Sequence, residues 1–190
     1  MQQCGHAPRL LVWDTMGEWS QKLRLTRVRS IAELHKLIIA DLRAPASSFR
    51  VGYCGPITKE HFEAFCKLAW VWLRAAIGTL VVEELSDVTS PGKAPPAWGD
   101  IVRKHGHTGA HVYALTQRPA ESDKTIIGNA AVIHGGLQSF ESDRRYMARC
   151  LDVPVAQVAQ LAQLQFIERD MRTRELRTGT VNFGRSRARA

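Results

Sequence analysis

The chain has 190 residues and a formal net charge of +8, a length that suggests one domain with a substantial core. It is 45% hydrophobic and 23% charged, as ordinary globular proteins are. The sequence contains no run of about 18 apolar residues, the length that a membrane span requires. The N-terminal sequence lacks the basic, apolar and small-residue segments of a secretory signal. The four cysteines have no CxxC spacing, which favours reduced thiols. We therefore expect a protein of the cytoplasm.

Short apolar runs alternate with helical patterns, which predicts a mostly parallel α/β sheet. Strands are predicted at residues 9–13, 49–53, 79–82, 111–115 and 130–133. Ser30 is a good N-cap with Glu33 three residues later, so the first long helix begins there and stops before Pro45. Further helices are predicted at residues 59–77, 97–104, 141–151 and 154–163, and a β-hairpin at residues 164–183.

Polar side chains follow several predicted strands at their carboxyl ends. Asp14 follows the first strand, Glu83 and Glu84 follow the strand at 79–82, and Gln117 follows the next one. The carboxyl edge of an open parallel sheet is where ligands bind. Two adjacent acids suit nucleotide hydrolysis, because one can hold the hydration shell of Mg²⁺ while the other orients or deprotonates the attacking water. Acids also end many strands by chance, and this alternative stays open.

The order of these signals resembles the FtsK/HerA-type DNA-translocating ATPases over nearly all of residues 9–183. RLLVWDTMGEW resembles their strand with a D-x-x-G-E element, and TLVVEE looks like their Walker B strand. The run Thr116–Pro119, followed by Asp123 and Asn129, is similar to their sensor strand and its sequel. The resemblance implies a RecA-like P-loop NTPase core, a mostly parallel sheet sandwiched by helices, with a C-terminal β-hairpin.

The resemblance implies a DNA-translocating or DNA-packaging ATPase of phage or viral type, with ATP and Mg²⁺ as cofactors, in the bacterial or host cytoplasm or, as an alternative, associated with a virion. Glu83 takes the metal side, Glu84 is the catalytic base and Gln117 is the sensor. Asp14 and Glu18 belong to the nucleotide-binding motif of the second strand. The family forms rings, usually hexamers, in which a neighbouring subunit supplies an arginine finger. The candidates for that finger are Arg103 and Arg118.

Two features depart from the family pattern. Walker B is usually Asp-Glu, whereas this chain has Glu83 at the metal-side position, one methylene longer. No G-x-x-x-x-G-K-[ST] sequence occurs in the 190 residues, and Gly92-Lys93 has neither the earlier glycine nor the following hydroxyl. Without that loop the phosphates of ATP lack their backbone cradle and lysine. Whether the chain hydrolyses ATP therefore stays open.

The family places its P-loop strand and helix directly before the strand that ends at Asp14. The start of the chain, up to Gly5, is typical of the last turn of a helix. We therefore hypothesise that Met1 is an internal methionine and that roughly 20–35 residues precede it, the length of a strand, loop and helix. A missing central strand is expected to leave a gap or an exposed edge in the middle of the sheet. The predicted domains are an N-terminally incomplete ATPase domain at 1–183 and a basic tail at 184–190.

The alternative is a catalytically inactive P-loop-like subunit that binds DNA or partner subunits. Residues 168–190 contain seven arginines, which indicates either a solvated tail or a DNA contact. The DNA-binding candidates are Arg185, Arg187 and Arg189. The predicted partners are DNA and further copies in a ring, and membrane-associated phage export machinery is an alternative setting. Histidines 105, 107 and 111 match no zinc spacing, so we interpret them as loop and strand-edge residues.

Overall fold

The computed structural model describes residues 2–182. The predicted DNA-binding residues Arg185, Arg187 and Arg189 lie outside the described residues. The chain divides into two compact units, the first ending at Asn129 and the second beginning at Ala130. The assignment of residues 1–183 to one ATPase domain stays a prediction.

A five-stranded parallel sheet forms the centre of the first unit. Its strands are β1 (Arg9–Trp13), β2 (Thr26–Val28), β3 (Phe49–Tyr53), β4 (Thr79–Val82) and β5 (His111–Ala114). Their order across the sheet is β2-β3-β1-β4-β5, and every pair is parallel. The parallel α/β prediction is confirmed. Both faces of β1, β3 and β4 are covered, which explains their almost continuous apolar sequences.

The helices of the first unit lie on the two faces of this sheet. They are α1 (Gln2–Gly5), α2 (Glu18–Leu23), α3 (Ile31–Arg43), α4 (Lys59–Ala75), α5 (Leu85–Val88), α6 (Pro96–Lys104) and α7 (Thr125–Asn129), with a 3₁₀ helix at His105–Thr108. One face packs an aromatic-rich core against α3, α4 and α6. The other face packs against the short helices α1 and α2. The sequence did not predict α2, β2, α5 or α7, which have between three and six residues.

Two long helices begin at side-chain caps, as their sequences require. The hydroxyl of Ser30 accepts a hydrogen bond from the backbone N–H of Glu33 at 3.2 Å, and that of Thr58 accepts from the N–H of His61 at 3.3 Å. The carboxylate of Glu33 accepts in turn from the N–H of Arg29, so the predicted capping motif is formed with the preceding residue.

The expectation of a gap or exposed edge in the middle of the sheet is wrong. β1 pairs with β3 on one side and with β4 on the other, each in an unbroken register. The reason is that the chain passes from β1 out to β2 and then returns through α3, which places β3 between them. The edges of the described sheet are therefore β2 and β5.

The second unit is an antiparallel sheet with two helices. It contains β6 (Val132–Gly135), α8 (Glu141–Leu151), α9 (Val155–Ala159), β7 (Gln165–Asp170) and β8 (Leu176–Thr180), in the sheet order β6-β7-β8. The predicted C-terminal hairpin is confirmed, and β6 joins it. The strand predicted at 130–133 runs from Val132 to Gly135 in the structure, and a Cβ on Gly135 would meet Met147 and Leu151 of α8 at about 3 Å.

The predicted helix at 154–163 is shorter in the structure, where α9 ends at Ala159. Across residues 2–182, no helix combines the length and apolar character that crossing a membrane requires.

Candidate functional site

The carboxyl ends of β1, β4 and β5 meet at one edge of the parallel sheet. β1 and β4 are neighbours, yet the chain continues from β1 towards β2 and from β4 towards β5. Such a change of direction is where open α/β sheets bind ligands. The structure therefore brings Asp14, Glu83, Glu84 and Gln117 to the same edge, as their positions after the strands predict.

Asp14 is fully buried and organises the loop that follows β1. Its carboxylate accepts hydrogen bonds from the backbone N–H of Ser20 at 2.8 Å and of Trp19 at 3.3 Å. The thiol of Cys54 also donates to it at 3.6 Å. Gly17 has a left-handed backbone with φ of 70° and lets the chain turn into α2. These contacts make Asp14 a residue that fixes the loop between β1 and α2.

Glu83 lies directly after β4 and faces that loop. Its backbone N–H donates to the carbonyl of Trp13, and its carboxylate accepts from the hydroxyl of Thr15 at 3.2 Å. Burial raises the pKa of the Glu83 carboxyl. The hydrogen bond from Thr15 lowers that pKa, whereas the negative charge of Asp14 raises it. Glu83 is thus a partly buried carboxylate with a fixed direction.

Glu84 points along the edge towards β5. Its carboxylate accepts a hydrogen bond from the side-chain amide of Gln117 at 2.8 Å and from the Gln117 backbone N–H at 3.4 Å. The backbone of Glu84 is left-handed, with φ of 47° and ψ of 59°. A residue with a side chain adopts this conformation only when its surroundings impose it, and such strain is concentrated at functional sites. Adjacent acids therefore diverge, with Glu83 facing β1 and Glu84 facing β5.

The chain on either side of Gln117 is tied to α5 and α6 by the side chains of Thr116 and Asp123. The hydroxyl of Thr116 donates to Ser86 at 3.2 Å and accepts from the N–H of Arg118. The carboxylate of Asp123, fully buried, accepts from the indole N–H of Trp98 at 3.0 Å. Thr15 is a residue that the sequence reasoning missed, and its place next to a strand end is the signal that could have identified it, whereas Thr116 belongs to the run that resembles the sensor strand.

The remaining predicted site residues occupy three different places. Glu18 is exposed at the start of α2 and pairs with Lys22 at 2.5 Å. Arg118 lies one residue after Gln117 and forms an ion pair with Glu121. Arg103 is in the last turn of α6, paired with Asp100 at 3.3 Å. Because α6 leads through the 3₁₀ helix to the start of β5, Arg103 lies at the amino edge of the sheet, away from the carboxylates.

Within residues 2–182, no group of three or more His, Cys, Asp or Glu side chains could together hold a metal ion. Mg²⁺ does not need such a cluster, because it commonly keeps several waters and binds one or two carboxylates. The ring nitrogen Nδ1 of His105 lies 3.1 Å from the carbonyl of Val102, which agrees with its interpretation as a loop residue.

Solved structures share this architecture. The genome packaging NTPase B204 of Sulfolobus turreted icosahedral virus 2, in complex with ATP-gammaS, superimposes with a TM-score of 0.71 at 14% identity, over 92% of this chain and 83% of that one. The same protein in complex with sulfate gives a TM-score of 0.71 at 15% identity, over 93% and 84%. At such identities the likeness establishes the fold alone. The chain therefore has the P-loop NTPase fold of B204.

A sequence relative then gives the family. Protein P9 of Pseudoalteromonas phage PM2 is 36% identical over 157 residues, which are 82% of this chain and 69% of P9. The chain belongs to the family of this phage protein. No protein-family model matches the sequence.

Proposed function

We propose that the protein is a packaging ATPase of phage type, in which nucleotide hydrolysis at the carboxyl edge of the sheet moves DNA through a ring of subunits. The observation that carries this proposal is the contact between Glu84 and Gln117. It joins the carboxylate of Glu84, whose backbone after β4 is left-handed, to the side-chain amide of Gln117 after β5 at 2.8 Å. An acid beside a polar group on the next strand is what phosphoryl transfer needs to orient water and respond to the terminal phosphate. B204, which shares the fold, was solved in complex with ATP-gammaS.

The carboxylates at this edge fit a hydrated Mg²⁺ ion. Glu83 is partly exposed, and the Thr15 hydroxyl donates a hydrogen bond to one of its oxygens. We assign Glu83 to the metal side and Glu84 to the water. When bound, Mg²⁺ would neutralise phosphate charge. Asp14 acts through the loop, because its two oxygens already accept backbone N–H groups. Glu18 is the exposed first residue of α2, directly after the same loop.

Residues 1–190 contain no G-x-x-x-x-G-K-[ST] loop, so they lack the backbone amides and the lysine that bind the phosphates of ATP in P-loop proteins. This observation favours a second candidate function, a catalytically inactive subunit that binds DNA or partner subunits. In either case we expect the 190 residues by themselves to bind ATP weakly. A micromolar dissociation constant for ATP would contradict that expectation.

Ring formation and an arginine finger belong to the same proposal. Arg103 lies at the edge of the sheet opposite its own carboxylates, so it could reach only the site of a neighbouring copy. Arg118 follows Gln117 and could act within the chain or across an interface. The Walker B role of Glu83 and Glu84, the likeness to FtsK/HerA motors and DNA binding by the tail are further parts of the proposal.

The intact mass and the N-terminal sequence of the protein are first measured on material from its natural source. ATP turnover and nucleotide binding are then compared for Glu84→Gln and Asp87→Asn in that protein. Both substitutions remove one carboxylate from the same turn, but Asp87 is exposed in α5. We expect Glu84→Gln to reduce turnover by about 10²- to 10⁴-fold, the usual contribution of a general base. Nucleotide affinity should be retained, and Asp87→Asn should leave both quantities unchanged.

The two candidate functions give different results in this experiment. If Glu84→Gln changes nothing and the unaltered protein shows no turnover, the inactive subunit is the correct assignment. Turnover that survives Glu84→Gln would refute the role of Glu84 as the base.

A further inference from the structure

The β7–β8 ribbon ends in an exposed arm. β8 is an edge strand of the three-stranded sheet, and every residue from 171 to 178 is exposed. The arm carries Arg172, Arg174 and Arg177. Across residues 2–182, none of these three side chains forms a hydrogen bond or ion pair. By contrast, Arg169 on the same ribbon binds Asp152 and the carbonyl of Leu151.

The tip of the arm has a fixed conformation. The carboxylate of Asp170 accepts hydrogen bonds from the backbone N–H of Arg172 at 2.8 Å and of Thr173 at 3.0 Å. The N–H of Arg174 donates to the Asp170 carbonyl at 2.9 Å. Arg174 itself is left-handed, with φ of 63°, a conformation that arginine adopts only when neighbouring contacts impose it. The Asp170 carboxylate thus binds the backbone of the tip, and the exposed arm at 171–178 holds three arginines against the one carboxylate of Glu175.

The base of the arm is supported from within the sheet. Phe166 lies across from Gly179 in the register, and a Cβ on Gly179 would meet the Phe166 ring at 2.9 Å. The ring of His134 stacks on Phe166 at 4.6 Å. His134 also pairs with Glu168 at 3.2 Å. These contacts stiffen the ribbon at the point from which the arginines extend.

We propose that the β7–β8 ribbon is a contact site for duplex DNA, in which Arg172, Arg174 and Arg177 bind backbone phosphates. The guanidinium fork matches phosphate oxygens in a bidentate way, and the major groove of duplex DNA admits a two-stranded β-ribbon. Phosphate contacts carry no base information, so the site is independent of sequence. The inference rests on the proposed DNA-moving function. It assigns DNA binding to arginines other than those at 185, 187 and 189.

The test is the affinity of the full chain for a labelled DNA duplex of about 30 base pairs, measured by fluorescence anisotropy without nucleotide across a salt series. We expect the double variant Arg172→Glu/Arg174→Glu to weaken binding by about tenfold or more. The slope of log affinity against log salt should fall by about 2, at roughly 0.9 for each phosphate that the variant no longer neutralises. The control is Arg145→Glu, an exposed arginine of α8 in the same unit, which should stay within about twofold of the unaltered protein.

A third variant, Asp170→Ala, separates the shape of the tip from its charge. It removes a negative charge, so electrostatic attraction alone would tighten DNA binding. If the fixed tip presents the arginines, Asp170→Ala should instead weaken binding, and tighter binding would overturn the role of the turn. Circular dichroism melting of each variant identifies any that fails to fold.

Other results would overturn the assignment of the arm. A loss for Arg145→Glu of about half that of the double variant, on a logarithmic scale, would show a net-charge effect, because the single substitution changes the charge by half as much. A loss seen only when the arginines at 185, 187 and 189 are replaced by alanine would place the contact in the tail. A changed oligomeric state with unchanged DNA affinity would assign the arm to a protein contact. Because the assay contains no nucleotide, normal DNA binding by the arm variant would refute this inference alone, whereas an unaltered protein that binds DNA but shows no ATP turnover would refute the proposed ATPase function alone.

Discussion

The left-handed backbone at Glu84 predicts that glycine is more stable than alanine at this position. A residue with a Cβ loses about 1–2 kcal/mol in this conformation, whereas glycine adopts it freely. Glycine also loses about 0.5–1 kcal/mol through the greater freedom of its unfolded chain. Glu84→Ala and Glu84→Gly both remove the hydrogen bond to Gln117, so that loss cancels between them. We expect Glu84→Gly to unfold with a free energy about 0.5–1 kcal/mol higher than Glu84→Ala.

The matched control is the same pair of substitutions at Asp87. Asp87 lies in α5 and has no left-handed backbone, so alanine should be more stable than glycine there by about 0.5–1 kcal/mol. Urea denaturation of the four variants measures each free energy of unfolding. The predicted sign therefore reverses between two positions three residues apart. If alanine is the more stable residue at both positions, the reasoning from backbone strain at Glu84 is refuted.

Three further substitutions test the surroundings of the site. Asp14→Asn should lower the free energy of unfolding by about 1–3 kcal/mol, because buried backbone N–H groups lose a charged acceptor, and urea denaturation measures it. Burial raises the pKa of Glu83 above its ordinary value near 4.5, so the folded state binds the proton more tightly. The free energy of unfolding of the unaltered protein should therefore fall, relative to that of Glu83→Gln, as pH rises from that value through the raised pKa. Melting temperatures of the two proteins that change in parallel with pH would contradict this. Gly52→Ala should cost about 1–3 kcal/mol because its Cβ would collide with the Ser20 hydroxyl, whereas Gly106→Ala, which meets open space, is the control.

Elements whose signals are local followed directly from the sequence. The helix that begins after Ser30 and the one that begins after Thr58 have a cap and an apolar stripe within their own residues, and both start where predicted. The apolar runs of β1, β3 and β4 match their strands residue for residue. The strand-end acids were predictable for the same reason, since the residue after a buried strand must lie at an edge of the sheet.

The short elements were not predictable in this way. α2 has six residues and β2 has three, too few for a period to show. α2 is held in part by Asp14, which accepts from the backbone of Ser20 six residues later. It also depends on Gly52 of β3, which lies 32 positions from Ser20 in the chain and leaves room for it.

The sequence by itself determined the alternation of strands and helices, the acids at the strand ends and the resemblance to DNA-translocating ATPases, because each is written in neighbouring residues. The tertiary structure alone decided the strand order, which closed the expected gap beside β1. It also decided that β6 joins the C-terminal hairpin, that Asp14 is committed to backbone N–H groups, and that Glu84 turns towards Gln117. The physical reason is that the strand pairings and the contact between Glu84 and Gln117 join residues far apart in the chain, and no local pattern encodes them.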